Sequence, residues 1–343
     1  MILAKLFSPF TLKDIRLKNR IVLPPLCMFC GEDDGLVTDF HLMHYGTRAF
    51  GGVGLIIQEA TGVERRGRIS DRDLGIWDDS HIPGLKKLVE VCKAYGAAIG
   101  IQLGHSGRKC RIPGEDLISA SPIAFKDTKE PREMSKDEIK QVVNAFREGA
   151  KRALEIGYDL IEIHGGHGYL VNQFLSPITN KRRDEYGGSL ENRGRFLKEV
   201  VEAIRKEWPR EKPLCVRLSA EEYFEEGNHP GDIVEIINLI KDGGIDIINV
   251  SSGGLEGPRE DEHQGHQLRY GDIVRRETGL PVIGGGYIIS PHMAEEALQS
   301  ERADLIFLGR ELIRNPNWPL LADFALDNEV AWPPQYGRAK PNK

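Results

Sequence analysis

The sequence predicts an α/β fold, a single (β/α)8 barrel, from three observations. Eight short runs rich in Val, Ile and Leu alternate with longer segments of helical period, no shift in composition divides the chain, and many glycines follow the apolar runs. Short apolar runs without alternation are the signature of parallel strands buried under helices on their outer faces. Eight strands close a barrel, and one continuous barrel accounts for the uniform composition better than two doubly wound domains.

The runs, in order, are 20–23 (RIVL), 54–58 (GLIIQ), 98–103 (AIGIQL), 160–164 (LIEIH), 214–219 (LCVRLS), 245–250 (IDIINV), 281–284 (PVIG) and 304–309 (DLIFLG). Between the third and fourth runs, 135–156 has the marks of a helix. Ser135 stands at the N-cap with Glu138 three residues on, apolar residues recur at i, i+3 and i+4, and Gly157 ends it. The same pattern recurs at 190–208, 231–242, 269–278 and 292–300. Segments 24–40 and 104–134, after the first and third runs, are irregular and rich in Gly and Pro, and read as loops.

Composition narrows the class. With 343 residues, 40% hydrophobic and 29% charged, the chain is long enough to bury a sizeable core and reads as soluble and globular. A net charge of −6 provides no basic field for nucleic acid or anionic lipid. The N-terminal MILAKLFSPFTLKD lacks the apolar core of a signal peptide, and the longest uncharged stretch, 163–180, contains His, Asn, Gln and Pro, so no membrane span is expected. Five cysteines, an odd number spread along the chain, fit a reducing cytoplasm better than a secreted disulfide framework. Glycine is the unusual count, 38 residues where a usual share is roughly 7%.

Function in such barrels sits at the C-terminal ends of the strands. The fourth run leads into HGGHGY, which places His164, His167 and Tyr169 together. Two imidazole N–H groups separated by a Gly-Gly spacer can converge on one carbonyl or oxyanion, with Tyr169 as proton donor. A zinc pair would need a further ligand, and the flanking residues are glycine and apolar. The seventh and eighth runs end in Gly284-Gly285-Gly286 and Gly309-Arg310, the place where barrel phosphate sites commonly lie. Gln102, on the third run, can read the amide edge of a flavin or pyrimidine-like ring, and Arg217, on the fifth, can offset an anionic ring or oxygen. Cys27 and Cys30 have C-x-x-C spacing, but no second pair accompanies them. Cys30 reads as an ordinary small residue, and Cys27 as one able to tune a cofactor ring.

With these residues assembled, the chain resembles the old yellow enzyme family, in the bacterial single-domain branch that carries an active-site cysteine near its flavin. The likeness runs over nearly the whole chain. It rests on LFSPFTLKDIRLKNRIV, the Cys27 loop, HLMHYGTRAFGGVGLIIQEATGV, IQLGHSGRK, EIHGGHGYLVNQFLSPITNKRRDEYGGSLENRGRF, RADLIFLGRELIRNP and QYGRA. The resemblance implies an FMN-dependent ene-reductase that takes reducing equivalents from NADPH or NADH and reduces activated alkenes. It places Pro25, Leu26, Cys27, Ala60, Gln102 and Arg217 on the flavin ring and Gly285, Gly286, Gly309 and Arg310 at the phosphate, with Pro24, His164, Ser252 and Gly253 completing the cofactor set. His164 and His167 would hold the substrate carbonyl, and Tyr169 would protonate the α-carbon.

Two departures qualify the likeness. Phe29 stands where close relatives have a tyrosine that reaches toward the substrate, so one hydrogen bond is missing there. No cysteine follows Cys215, so the iron–sulfur cluster and second nucleotide domain of larger relatives are not expected. Tyr336-Gly337-Arg338 resembles a segment that reaches a neighbouring subunit's site. A homodimer or homotetramer is therefore expected, with the tail from about 330 to 343 extending from the barrel and Arg338 in the partner's substrate pocket. Competing readings are a metal-dependent hydrolase or aldolase on the same barrel, with His164 and His167 as ligands, and a non-catalytic flavoprotein. Substrate range is expected to depend on loops 104–134 and 253–268.

Overall fold

All eight apolar runs fold as neighbouring strands because each can bury both faces. In the computed structural model, which describes residues 4–126, 128–256, 263–329 and 331–341, they form Ile21–Leu23, Leu55–Gly62, Ala98–Gly104, Leu160–Gly165, Leu214–Ser219, Ile247–Ser251, Val282–Gly284 and Leu305–Phe307. Every pairing between them is parallel, and the eighth strand pairs with the first, so the sheet closes into a barrel. Part of the 253–268 loop (257–262) and of the tail (330, 342 and 343) lies outside the described residues.

Two cores follow from the two faces. Outward side chains such as Ile99, Ile101, Ile161, Ile163, Val216 and Ile248 pack against the surrounding helices. Inward ones, including Val22, Leu55, Ile57, Leu160, Cys215, Ile247, Ile283 and Leu305, fill the barrel interior. The antiparallel hairpin of Phe10–Leu12 and Ile15–Leu17 joins that inner cluster through Leu12, Ile15 and Leu17.

The predicted helices are present with ends shifted by a few residues: Lys136–Ile156, Leu190–Arg205, Pro230–Ile240, Leu268–Thr278 and Pro291–Gln299. Ser135 Oγ accepts the Glu138 N–H, Glu138 Oε2 accepts the Ser135 N–H at 2.9 Å, and Gly157 ends the helix at φ 93°. Two further helices, Asp39–Phe50 and Ile82–Ala94, are not among those expected, although the second carries the helical period, with Leu85, Leu88, Val89 and Cys92 buried at i, i+3, i+4 and i+7. The first buries His41, His44 and Arg48 on its inner face, which obscures the apolar period, and it begins within the segment read as a loop up to 40. Segment 104–134 is not wholly irregular either, since Ile118–Ser119 pairs with Arg132–Glu133. Among the described residues no helix is long and apolar enough to cross a membrane.

Candidate active site

Three inward rows change from apolar to polar toward their C-terminal ends: Leu160-Glu162-His164, Cys215-Arg217-Ser219 and Ile247-Asn249-Ser251. Register brings Glu162 beside Gln102 and Cys215, and Arg217 beside His164 and Asn249. Glu162 is fully buried and accepts Gln102 Nε2 at 2.7 Å, Asn249 Nδ2 at 2.7 Å and Cys215 Sγ at 3.4 Å. Burial pushes its carboxyl up, while the Arg217 charge pulls it down. Arg217 in turn donates to the Pro25 carbonyl at 3.4 Å, and its Nε has no hydrogen-bond partner among the described residues. A buried guanidinium with an unused N–H is costly unless a ligand acceptor completes it.

Above this layer the HGGHGY turn gathers the predicted donors. Gly165 and Gly166 allow close passage, because a Cβ there would lie 2.9 Å from the Arg217 carbonyl and 3.0 Å from the Ser219 nitrogen, respectively. The His164 and His167 rings are 5.5 Å apart at 79°, and the Tyr169 ring lies 4.6 Å from His164. His164 Nδ1 is buried without a partner among the described residues, and His167 Nε2 is 2.7 Å from Ser251 Oγ. Burial, reinforced by the Arg217 charge, holds both imidazoles well below their usual range, so both are neutral. Burial likewise raises the Tyr169 phenol. A neutral imidazole has one N–H to donate, and a protonated phenol can give up a proton, which is the chemistry needed where negative charge develops on a substrate oxygen.

Beside these rings a cleft of about 760 Å³ opens, lined in part by Pro24, Leu26, His167, Arg217, Ser252, Gly286, Gly309 and Arg310. Gly286 sits at φ 99°, where a Cβ would come within 3.0 Å of the Gln267 nitrogen. A Cβ on Gly285 would meet the Phe307 carbonyl at 2.7 Å. Gly309 is roomier, with the nearest atoms at 3.7 Å. The Arg310 guanidinium lies 4.2 Å from the centroid of the Tyr287 ring. Ser252 Oγ accepts Gln267 Nε2 at 2.9 Å, and Gly253, at φ 68°, accepts Ser219 Oγ at 2.9 Å through its carbonyl. A cleft with a buried cation at its floor, an arginine at its rim and glycine walls suits a planar cofactor that bears a phosphate.

Ala60, His164 and Tyr169 line an adjoining crevice of about 250 Å³. Cys27 is half-buried and unpaired, and burial, then Asp73 and Glu59, push its thiol well above the usual range. Cys30 is also a free thiol, with its Sγ 3.2 Å from the Met28 carbonyl oxygen. Phe29 is 46% exposed at φ 53°. Arg338 lies in the short turn Pro334–Ala339, outside both cavities, and the neighbouring Tyr336 ring packs on Phe50 at 4.7 Å. Among the described residues no group of three or more His, Cys, Asp or Glu side chains could hold a metal ion.

Several participants were not foreseen, among them Glu162, Glu59, Lys109 and Ser251. Glu162 and Glu59 carry a signal, a lone acid inside an apolar strand (LIEIH, LIIQEA), since a buried carboxylate needs a purpose-built set of donors. Lys109 and Ser251 carry none, because their partners lie far away in sequence.

The fold is a (β/α)8 barrel whose strand C-terminal ends carry a polar cleft with hydrogen-bond donors, the place where such barrels bind ligands. The chain belongs to the NADH:flavin oxidoreductase / NADH oxidase family, whose model matches residues 5–328. It is 51% identical over 335 residues to an NADPH dehydrogenase of Geobacillus thermodenitrificans (97% of this chain, 98% of that one). Against the NADPH dehydrogenase of Clostridium acetobutylicum it is 49% identical over 337 residues (98% and 99%). Among solved structures, morphinone reductase superposes with a TM-score of 0.82 at 27% identity, covering 97% of this chain and 92% of that one. The old yellow enzyme homologue of Zymomonas mobilis gives 0.80 at 26%, covering 99% and 100%. A 2-naphthoyl-CoA reductase gives 0.89 at 28%, and there this chain spans only 53% of the other's length. The protein is thus an NAD(P)H-dependent flavin oxidoreductase of the old yellow enzyme type.

Proposed function

We propose that the chain is an FMN-dependent ene-reductase, acting with NADPH or NADH on alkenes activated by a carbonyl or similar group. The observation that carries this reading is the juxtaposition of neutral His164 and His167, protonated Tyr169 and the Arg217-floored cleft. Pro24, Pro25, Leu26, Cys27, Ala60, Gln102 and Arg217 would hold the FMN ring, and Ser252, Gly253, Gly285, Gly286, Gly309 and Arg310 its phosphate side. A bound flavin would supply the redox chemistry, hydride transfer between a nicotinamide and an activated alkene.

The chain's own residues do the rest. His164 and His167 donate to the substrate oxygen, where charge grows as the β-carbon gains hydride, so their hydrogen bonds strengthen in the transition state. Tyr169 delivers its phenolic proton to the α-carbon. Arg217 keeps a positive charge at the floor and would favour an electron-rich cofactor ring. Cys27, held protonated, would offer that ring a neutral thiol. We assign the barrel and its tail to one domain, with Arg338 reaching the site of a second copy in a cytoplasmic homo-oligomer.

The test is direct. The purified protein should be yellow, release FMN on denaturation, and oxidise NADPH or NADH when given 2-cyclohexenone or a maleimide. A colourless protein that cannot be reconstituted with FMN refutes the reading, as does a flavoprotein that reduces no activated alkene.

A further inference from the structure

Lys109 follows the third strand, in the short turn Gly107–Lys109. Its ammonium donates to the His167 carbonyl at 2.7 Å and to the Gly254 carbonyl at 2.5 Å. It also lies 4.0 Å from the centroid of the Phe125 ring and 5.1 Å from that of Tyr169. The two main chains it joins already touch, since a Cβ on Gly254 would fall 2.4 Å from His167 Cα, and one on Gly168 would fall 2.7 Å from the Gly254 oxygen. His167 adopts φ 57°, a conformation a non-glycine residue holds only when its surroundings impose it. Lys109 and Ser219, which accepts the His167 N–H at 2.9 Å, bind the two sides of the His167 main chain from outside its own turn.

We propose that Lys109 is a positioning residue of the substrate-oxygen site, clamping the His167 main chain against the loop after the sixth strand and thereby setting where the His167 donor stands relative to His164. The proposal rests on the reading of the two histidines as substrate donors. It extends that reading by making the clamp titratable.

Burial, then the neighbouring Arg108, lowers the Lys109 amine to about 7, with Lys126 and Arg111 acting in the same direction and Glu256 opposing them. The imidazoles and phenol that face it are neutral: His164, His167 and Tyr169. Below about pH 7 the clamp is a charged donor on two carbonyls. Above that pH it becomes a neutral amine, and charge-assisted hydrogen bonds lose roughly half their strength on neutralisation.

The experiment measures the dissociation constant of 2-cyclohexenone from the oxidised holoprotein, through perturbation of the flavin spectrum, at pH 6 and pH 8.5. Wild type should bind several-fold more weakly at pH 8.5. Lys109→Arg keeps the charge and leaves Glu59 and Asp73, whose carboxyls burial raises to about 7 and about 6, to titrate as before, and it should bind tightly with no pH step. Lys109→Met should bind about tenfold more weakly at pH 6, the scale of one charged hydrogen bond, with no step. If Lys109→Met matches wild type at both pH values while His164→Ala loses binding, this proposal fails alone. If neither histidine variant affects binding, or the protein takes up no flavin, the underlying reading fails and this one with it.

Discussion

Glu59 Oε2 accepts the backbone N–H of Met28 at 2.7 Å, so a fully buried carboxylate on the second strand holds the chain one residue beyond Cys27. Its other oxygen accepts the Tyr45 hydroxyl at 3.0 Å, and that hydroxyl accepts the Glu59 N–H at 2.9 Å. Burial pushes the Glu59 carboxyl up to about 7 from 4.5. The folded chain therefore holds this proton in a range where the unfolded chain has lost it, and stability falls as pH rises from about 4.5 to about 7. Glu59→Gln should remove that component. Denaturant titrations of both holoproteins at pH 5 and pH 8 should show the variant gaining on wild type at pH 8, and an equal difference at both pH values would contradict this.

Glu162 is the acceptor that holds the Gln102 and Asn249 amides together in this layer. Glu162→Leu leaves both amide N–H groups buried without that acceptor, for which the expected loss is about 1–3 kcal/mol of folding stability per stranded group. Equilibrium unfolding measures this, and a loss below about 1 kcal/mol would mean that both amides find other acceptors.

His164→Ala and His167→Ala should each weaken p-hydroxybenzaldehyde binding by about tenfold or more, the scale of a lost hydrogen bond to an anion, and leave FMN bound. The long-wavelength charge-transfer band reports the affinity. Both imidazoles remain neutral in the fold, so wild-type binding should show no histidine titration between pH 6 and 8.

Two of the glycines proposed for the phosphate side should fail differently. Gly286→Ala forces a Cβ onto a backbone at φ 99° and against the Gln267 nitrogen, so the apoprotein itself should lose about 1–3 kcal/mol. Gly309→Ala meets only ordinary contacts at 3.7 Å, so apoprotein stability should hold while FMN affinity drops. Thermal melts with and without FMN separate the two.

Cys27→Ala should shift the flavin midpoint potential, measured by dye-coupled reduction. An unchanged potential would leave Cys27 as packing alone. The raised thiol also predicts slower iodoacetamide labelling of Cys27 at pH 7 than of an unhindered thiol.

Local pattern determined much of this protein. Strand runs, the Ser135 cap, the Gly157 stop and the grouping of His164, His167 and Tyr169 depend on residues a few positions apart, and periodicity records such neighbours directly. Tertiary structure alone decided the rest. The Asp39–Phe50 helix escaped notice because its inner face is polar, and its burial makes sense only once Glu59 and Tyr45 are seen behind the Cys27 loop. Lys109 reaches Gly254 across 145 positions, and Arg217 reaches Pro25 across 192. Contacts at that separation leave no period in the sequence, because barrel closure, not chain proximity, brings the partners together.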